Sequence, residues 1–271
     1  NRASAGSFAF SEPVRATAMF GGGGYGAVGA QPDPFSPVQP KGDWELEAKR
    51  GFLVKVYSIV SVQLAVTVLF CAVSMYVEPV RMGLLSAGPV MVWVLLIPMI
   101  VLLIALHFNK SSYPLNMWLL AGFTITESLL VGFVCAAHQQ AGEDCVSHGL
   151  HSCAGMGTIV WYAWAATFVV FGSLTAFVMF SGVDFSFLGL FLFAGSIIML
   201  GWTIISMLFG FHTGFFFGAC GAALMCGYIL YDTSNIMRRM GPDDYVIAAI
   251  EIYIDVITLF LYILDMMRGD G

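Results

Sequence analysis

Residues 227–260 read GYILYDTSNIMRRMGPDDYVIAAIEIYIDVITLF, and this stretch decides the fold. An apolar run reaches an acid in Tyr231-Asp232-Thr233. A polar turn follows through Arg238, Arg239, Gly241, Pro242, Asp243 and Asp244, and a second apolar run carries Glu251, Asp255 and Asp265. The turn is short, so the runs are antiparallel neighbours, each with the length of about 20 residues that crosses a bilayer. An ionised side chain at the bilayer centre costs at least about 2.5–3.5 kcal/mol, so acids within such helices are functional candidates by default. Asp255 falls roughly 15 Å beyond Tyr245, well inside the hydrocarbon, and Asp232 lies within about two turns of Arg238. The two carboxyls are therefore expected to meet in the half of the membrane nearer the turn.

Composition agrees with that reading. The 271 residues are 59% hydrophobic and 10% charged, with mean hydropathy +0.85, whereas a soluble domain carries about 25% charged residues. This is an all-α, multi-pass membrane protein built as one bundle. Basic runs are absent, so no nucleic-acid partner is expected; the lipid bilayer is the first partner. Seven apolar segments are placed near 52–77, 86–108, 114–137, 158–180, 186–208, 211–236 and 245–267, separated at Glu78-Pro79, Asn109 to Ser112, a 138–157 loop, Ser181 to Asp184, Gly210, and Arg238 to Asp244. Phe209-Gly210-Phe211 interrupts the apolar run least, so six helices with one long hairpin is the alternative. Pro98 predicts a kink in the second helix. Gly214 and Gly218, continued by Gly221 and Gly227, form a run of small residues that permits close helix approach in lipid.

Lysine and arginine set the orientation. Lys49, Arg50, Lys55, Lys110, Arg238 and Arg239 gather near helix ends on the N-terminal side, against Arg81 and Arg268 opposite. The positive-inside rule puts the N-terminus in the cytosol. Residues 1–48 hold Gly21 to Gly24 and Pro32, Pro34, Pro37 and Pro40 without helical or strand period, and are read as a disordered cytosolic tail; residues 49–271 form the transmembrane domain. The first long apolar segment begins near Phe52 and exceeds a typical signal-peptide core, so no signal peptide is expected and insertion is expected to rely on that helix itself.

Two close carboxylates in a low dielectric share a proton, and several carboxylate oxygens suit Ca²⁺. Asp232 and Asp255 are thus read as a pH sensor and a transient calcium site, with the alternative that each satisfies a separate donor. Glu251, one turn before Asp255 on the same face, and Glu127, inside the third helix, are the candidate further cavity acids; the alternatives are a place near the interface with solvent for Glu251 and a hydrogen bond to a neighbouring helix for Glu127. No bound cofactor is expected. In the 138–157 loop, Cys145, His148, His151 and Cys153 have ligand types that suit zinc at an unfamiliar spacing. On the lumenal side, Cys145 and Cys153 suit a disulfide, and free thiols or a metal are the alternatives.

The residues resemble a known family. Tyr228 to Thr233, Asp244-Tyr245 to Ala249, and Ile252 to Phe260 closely resemble the signature of the Bax-inhibitor family. Upstream, Arg50 to Tyr57 with Gln63 to Thr67 resembles the first helix of its lifeguard branch, and Pro114-Leu115-Asn116 with Phe123-Thr124 to Glu127-Ser128 resembles the third. The resemblance implies a seven-helix fold with the last helix central, wrapped by the others. It also implies a pH-sensitive calcium leak across an intracellular membrane, with suppression of cell death through store calcium. Its paired aspartates fall on Asp232 and Asp255. Bacterial relatives clamp one aspartate with an arginine at the end of the second helix; the nearest cations here are His107 and Lys110.

The leak channel has competitors. An intramembrane aspartyl protease would place Gly-x-Gly before its second acid, whereas Ile252-Tyr253-Ile254 precedes Asp255, so an enzyme is not expected. A retinal protein would need a lysine in its last helix, and none follows Lys110. A non-conducting scaffold that regulates apoptosis through membrane-protein partners is the alternative. The endoplasmic reticulum or Golgi is the expected location, with the plasma membrane as the other choice.

Overall fold

The computed structural model describes residues 43–88, 90–148, 155–210 and 214–268. Among these are eight α-helices: α1 (Asp43–Tyr76), α2 (Glu78–Ser86), α3 (Val90–Phe108), α4 (Leu115–Ser147), α5 (Met156–Ser181), α6 (Gly189–Phe209), α7 (Phe215–Arg238) and α8 (Tyr245–Met267). Seven of them are long and apolar enough to cross a membrane; the exception is α2. The chain divides into two units, Asn1–Lys41 and Gly42–Gly271, and every described residue belongs to the second. Residues 1–42 of the expected tail lie outside the described residues, and α1 begins at Asp43, inside the stretch read as tail.

Local chemistry explains where the helices stop. Gly210 takes a left-handed φ of 69° and its N–H returns to the Ser206 carbonyl, which ends α6 where an L side chain would be strained. The weakest break in the sequence is therefore a true helix end, so the seven expected spans are found and the alternative of six with one long hairpin falls. Glu78-Pro79, read as a break, is also a start: proline in a first turn forfeits no helical hydrogen bond, and α2 begins there. The predicted 138–157 loop is corrected as well, because α4 stays helical through Ser147. Pairs one turn apart support that polar extension: Gln139 donates to Glu143 and Gln140 to Asp144, each at 2.8 Å. With its 33 residues, α4 is roughly 50 Å long and outreaches a hydrocarbon core of about 30 Å. Pro98 lies inside α3, whose helix runs unbroken from Val90 to Phe108.

Helix α8 occupies the middle of the bundle. It packs against α7, α1, α5 and α4, while α3 packs chiefly on α4 and α6 on α7. Tyr253, Val256, Leu259 and Phe260 of α8 are fully buried. The Phe260 ring stacks on Trp164 of α5 at 4.1 Å between centroids, and Tyr253 meets Phe123 of α4 edge-on at 6.1 Å. Outward-facing Phe180, Leu190, Phe191, Trp202 and Phe216 are exposed, an apolar girdle that fits lipid rather than water. The small residues divide between two neighbours. Gly218 and Gly221 of α7 face Tyr262 and Met266 of α8, whereas Gly227 faces Leu192 of α6.

Candidate functional site

The turn between α7 and α8 sends the two helices back along each other, and their register delivers the predicted pair. Asp232 lies roughly 9 Å from the end of α7 and Asp255 roughly 15 Å into α8. Both are buried, with 8% and 6% of their surface exposed, and their carboxyl groups stand within side-chain hydrogen-bonding reach of each other. A carboxyl–carboxyl hydrogen bond needs one proton shared between the two groups. Glu251, one turn earlier on α8, is near enough to interact electrostatically with Asp232, Asp255 and Asp244. One oxygen each of Asp255 and Glu251 is buried without a partner. Among the described residues no three His, Cys, Asp or Glu side chains are placed to hold a metal ion; the cluster is a pair of buried carboxyls with a third acid beside it.

The two candidate gate cations, Lys110 and His107, make other contacts. Lys110 Nζ donates to Asp244 Oδ1 at 2.9 Å, tying the α3–α4 connection to the α7–α8 turn. His107 Nδ1 pairs with the Leu103 carbonyl of its own helix at 3.2 Å. The reason is topological: α3 packs on α4, so its end reaches the turn and not the carboxyls beneath it. The Lys110 hydrogen bond, aided by its charge, holds the Asp244 carboxyl below its ordinary range. Two further contacts brace the same end. Lys55 of α1 sits 3.2 Å above the Tyr245 ring, a cation–π contact, and the Arg238 guanidinium donates to the Gly182 carbonyl. Ser234 accepts the Phe185 N–H at 3.1 Å. Asp184 caps that turn by accepting from the hydroxyl and N–H of Ser186, at 2.6 and 3.0 Å, and these bonds lower its pKa. Sequence reading missed the braces made by Lys55, Arg238 and Ser234 because each joins residues far apart in the chain.

Glu127 is separate from the pair. It is buried in α4, 8% exposed, and its electrostatic neighbour is Tyr253 of α8. Tyr253 and Asp255 are two positions apart, about 200° around the helix, so Glu127 and Asp232 address different faces of α8. At the other end of the bundle, Arg81 of α2 makes a bidentate pair with Glu143 of α4 at 2.9 and 2.7 Å and also donates to the Met75 carbonyl. The reach of α4 beyond the bilayer makes this pair, which the expected loop concealed. Cys145, in the last turns of α4, is disulfide-bonded; Cys153 and His151 lie outside the described residues.

The family model described as "Inhibitor of apoptosis-promoting Bax1" matches residues 49–271. The chain belongs to the Bax-inhibitor family. Its curated relatives include the "BI1-like protein" of Arabidopsis thaliana, 37% identical over 233 residues that cover 84% of each chain. "Protein lifeguard 4" of Mus musculus is 34% identical over 82% of this chain and 86% of its own. The "Golgi anti-apoptotic protein" of Vaccinia virus (strain Lister) is 32% identical over 81% of this chain and 86% of its own. The membership rests on nearly all of the described bundle, so the α7–α8 pair and its braces belong to a Bax-inhibitor domain.

Proposed function

We propose that this Bax-inhibitor family member is a pH-sensitive calcium leak of an intracellular membrane, gated by Asp232 and Asp255, and that the leak lowers store calcium and suppresses cell death. The observation that carries the reading is the burial of both carboxyls in mutual contact on α7 and α8. While one proton is shared, a hydrogen bond joins the helices there. Loss of that proton leaves two like charges in a low dielectric, which repel and push the helices apart at the turn end. Gly218 and Gly221 keep α7 pressed on α8 at the far end, so the hairpin opens as a hinge. The parted carboxylates, with Glu251, then offer the oxygen ligands that calcium prefers. Calcium is the permeating ion and the proton its competitor; no bound cofactor enters the mechanism.

The relatives support the biological side. One is named anti-apoptotic and assigned by that name to the Golgi, and the family model is described by inhibition of apoptosis. We place the protein in the endoplasmic reticulum or Golgi membrane with its N-terminus in the cytosol, where apoptosis-regulating membrane proteins would meet its cytosolic turns. The test is calcium flux into liposomes holding the purified protein, from neutral to mildly acidic pH, with Asp232→Asn and Asp255→Asn alongside. The expected result is a flux that changes with pH in the wild type and is insensitive to pH in either variant. Unchanged pH dependence in Asp255→Asn sinks the gate. No flux from folded wild-type protein sinks the leak and leaves the scaffold reading.

A further inference from the structure

Helices α1 and α4 are joined side by side by a ladder of paired side chains, and its rungs on α1 stand one turn apart. Gln63 Nε2 donates to Thr124 Oγ1 at 2.9 Å, and Thr67 Oγ1 pairs with Ser128 Oγ at 3.0 Å. The third rung is Cys71 with Cys135, whose sulfurs lie 3.4 Å apart. Both are free thiols and both are fully buried. Gly132 sets the approach at this level. A Cβ there would lie 2.6 Å from Ser74 Oγ and 3.6 Å from the Phe70 carbonyl oxygen of α1. Phe70 directly precedes Cys71, and Gly132 lies one turn before Cys135. The main chain of α1 therefore comes close to α4 where the thiols meet. A cystine needs that closeness, because its Cα atoms stand only about 4.4–6.8 Å apart.

The first two rungs are hydrogen bonds between groups that stay as they are. The third is built of two side chains that can be joined covalently, and burial decides which oxidant can reach them. Oxidised glutathione is a charged disulfide, and an apolar interior excludes it by the cost of stripping its charges of water. Hydrogen peroxide is small and uncharged. A buried thiol reacts slowly, so exposed Cys220 is oxidised before this pair. Once either buried sulfur is oxidised, its partner is already in contact, and the closing step is intramolecular.

We propose that Cys71 and Cys135 are a peroxide-oxidisable thiol pair, a modification site that ties α1 covalently to α4 inside the bundle. In the first step one thiol takes an oxygen atom from hydrogen peroxide, giving a sulfenic acid and one water. The second thiol then attacks the sulfenic sulfur. The S–S bond forms, the S–O bond breaks, and the hydroxyl leaves with the thiol hydrogen as a second water. Two thiols have together lost two hydrogens and two electrons, and the O–O bond of the peroxide has accepted them. The new bond closes a loop that contains α2 and α3, and α1 and α4 then separate only after reduction. The inference does not need the calcium leak, since it concerns a bond within the bundle.

The test treats the full chain in lipid nanodiscs with hydrogen peroxide or with oxidised glutathione. Remaining thiols are then blocked, and the digest is read by mass spectrometry. The expected result is a peptide pair linked through Cys71 and Cys135 after peroxide, absent after oxidised glutathione and absent from Cys71→Ser. Peroxide treatment should also raise the unfolding temperature of the wild type and not that of Cys71→Ser. The linked peptide is read in the wild type, so the decision stands even where Cys71→Ser does not fold. Both thiols still reduced after an exposure that has carried Cys220 to its sulfonic acid would overturn the proposal. Cys71 linked to any cysteine other than Cys135 would overturn it as well, as would linking by oxidised glutathione as fast as by peroxide.

Discussion

Gly218→Ala tests the packing that sets α7 against α8. A Cβ at Gly218 would lie 3.0 Å from the Met266 backbone nitrogen and 3.1 Å from both the Tyr262 carbonyl oxygen and Met266 Cβ. Favourable contacts of this kind sit at about 3.5–4.0 Å, so the helices must separate by roughly half an ångström. Two of the three obstacles are main chain and cannot rotate away. Overpacking of this sort costs about 1–3 kcal/mol, and the better helix propensity of alanine returns up to about 1 kcal/mol. The net expectation is a loss of about 1–2 kcal/mol, or a five- to thirty-fold rise in the unfolded fraction. Gly201 of α6 is the control, since nothing lies within 4 Å of a Cβ there, and alanine should gain about 0.5–1 kcal/mol. Reversible unfolding in mixed micelles measures both. Gly218→Ala proving as stable as Gly201→Ala would refute the close approach. Asp232 is roughly four turns further along α7, so any pH dependence of flux should survive a substitution that weakens the fold.

Two other perturbations address the ends of the bundle. Asp244 is held below its ordinary range by Lys110, so its stabilising contribution is complete above that range and fades as pH falls through the depressed folded value. Lys110→Met should return the Asp244 titration toward ordinary acid values in an NMR titration while stability hardly moves, because exposed pairs are worth about 0–1 kcal/mol; an unmoved titration would refute the pairing. At the opposite end, the Arg81 side chain is 9% exposed and that of Glu143 44%. Glu143→Ala should cost about 1–2 kcal/mol by leaving a buried guanidinium short of its acceptor, and adding Arg81→Met should recover part of it. Thermal unfolding of the single and double variants reads this, and no recovery in the double variant counts against a buried charge.

The seven spans were legible because each is a long apolar run, and the stop at Gly210 was marked by the one residue suited to a left-handed turn. The extension of α4 to Ser147 was not, because Gln139 to Asp144 are polar and read as loop until their spacing of one turn is seen closing hydrogen bonds. Asp232 and Asp255 were found as a pair because a short turn forces their helices together. Glu127 was read as a candidate acid of the same cavity, yet its electrostatic neighbour is Tyr253 rather than the aspartates, since nothing local says which face of α8 it will meet. Lys110 was one of the two nearest cations that the sequence offered for the aspartates, and the packing of α3 on α4 brings it to Asp244.

Sequence alone determined the membrane class, the number of spans, the family, and the two acids on adjoining helices. All of these follow from hydropathy, helix length and a short connection, which are properties of neighbouring residues. The central place of the last helix was implied by the family resemblance; only the tertiary structure decided that two faces of α8 carry two polar systems, the aspartates toward α7 and Tyr253, bonded with Thr67 and Ser128, toward α1 and α4. In lipid, an outward face and a buried face are both apolar, so periodicity cannot say which side of a helix meets protein. That is settled by which helices pack together, and in this chain by close approaches such as Gly218 on Met266.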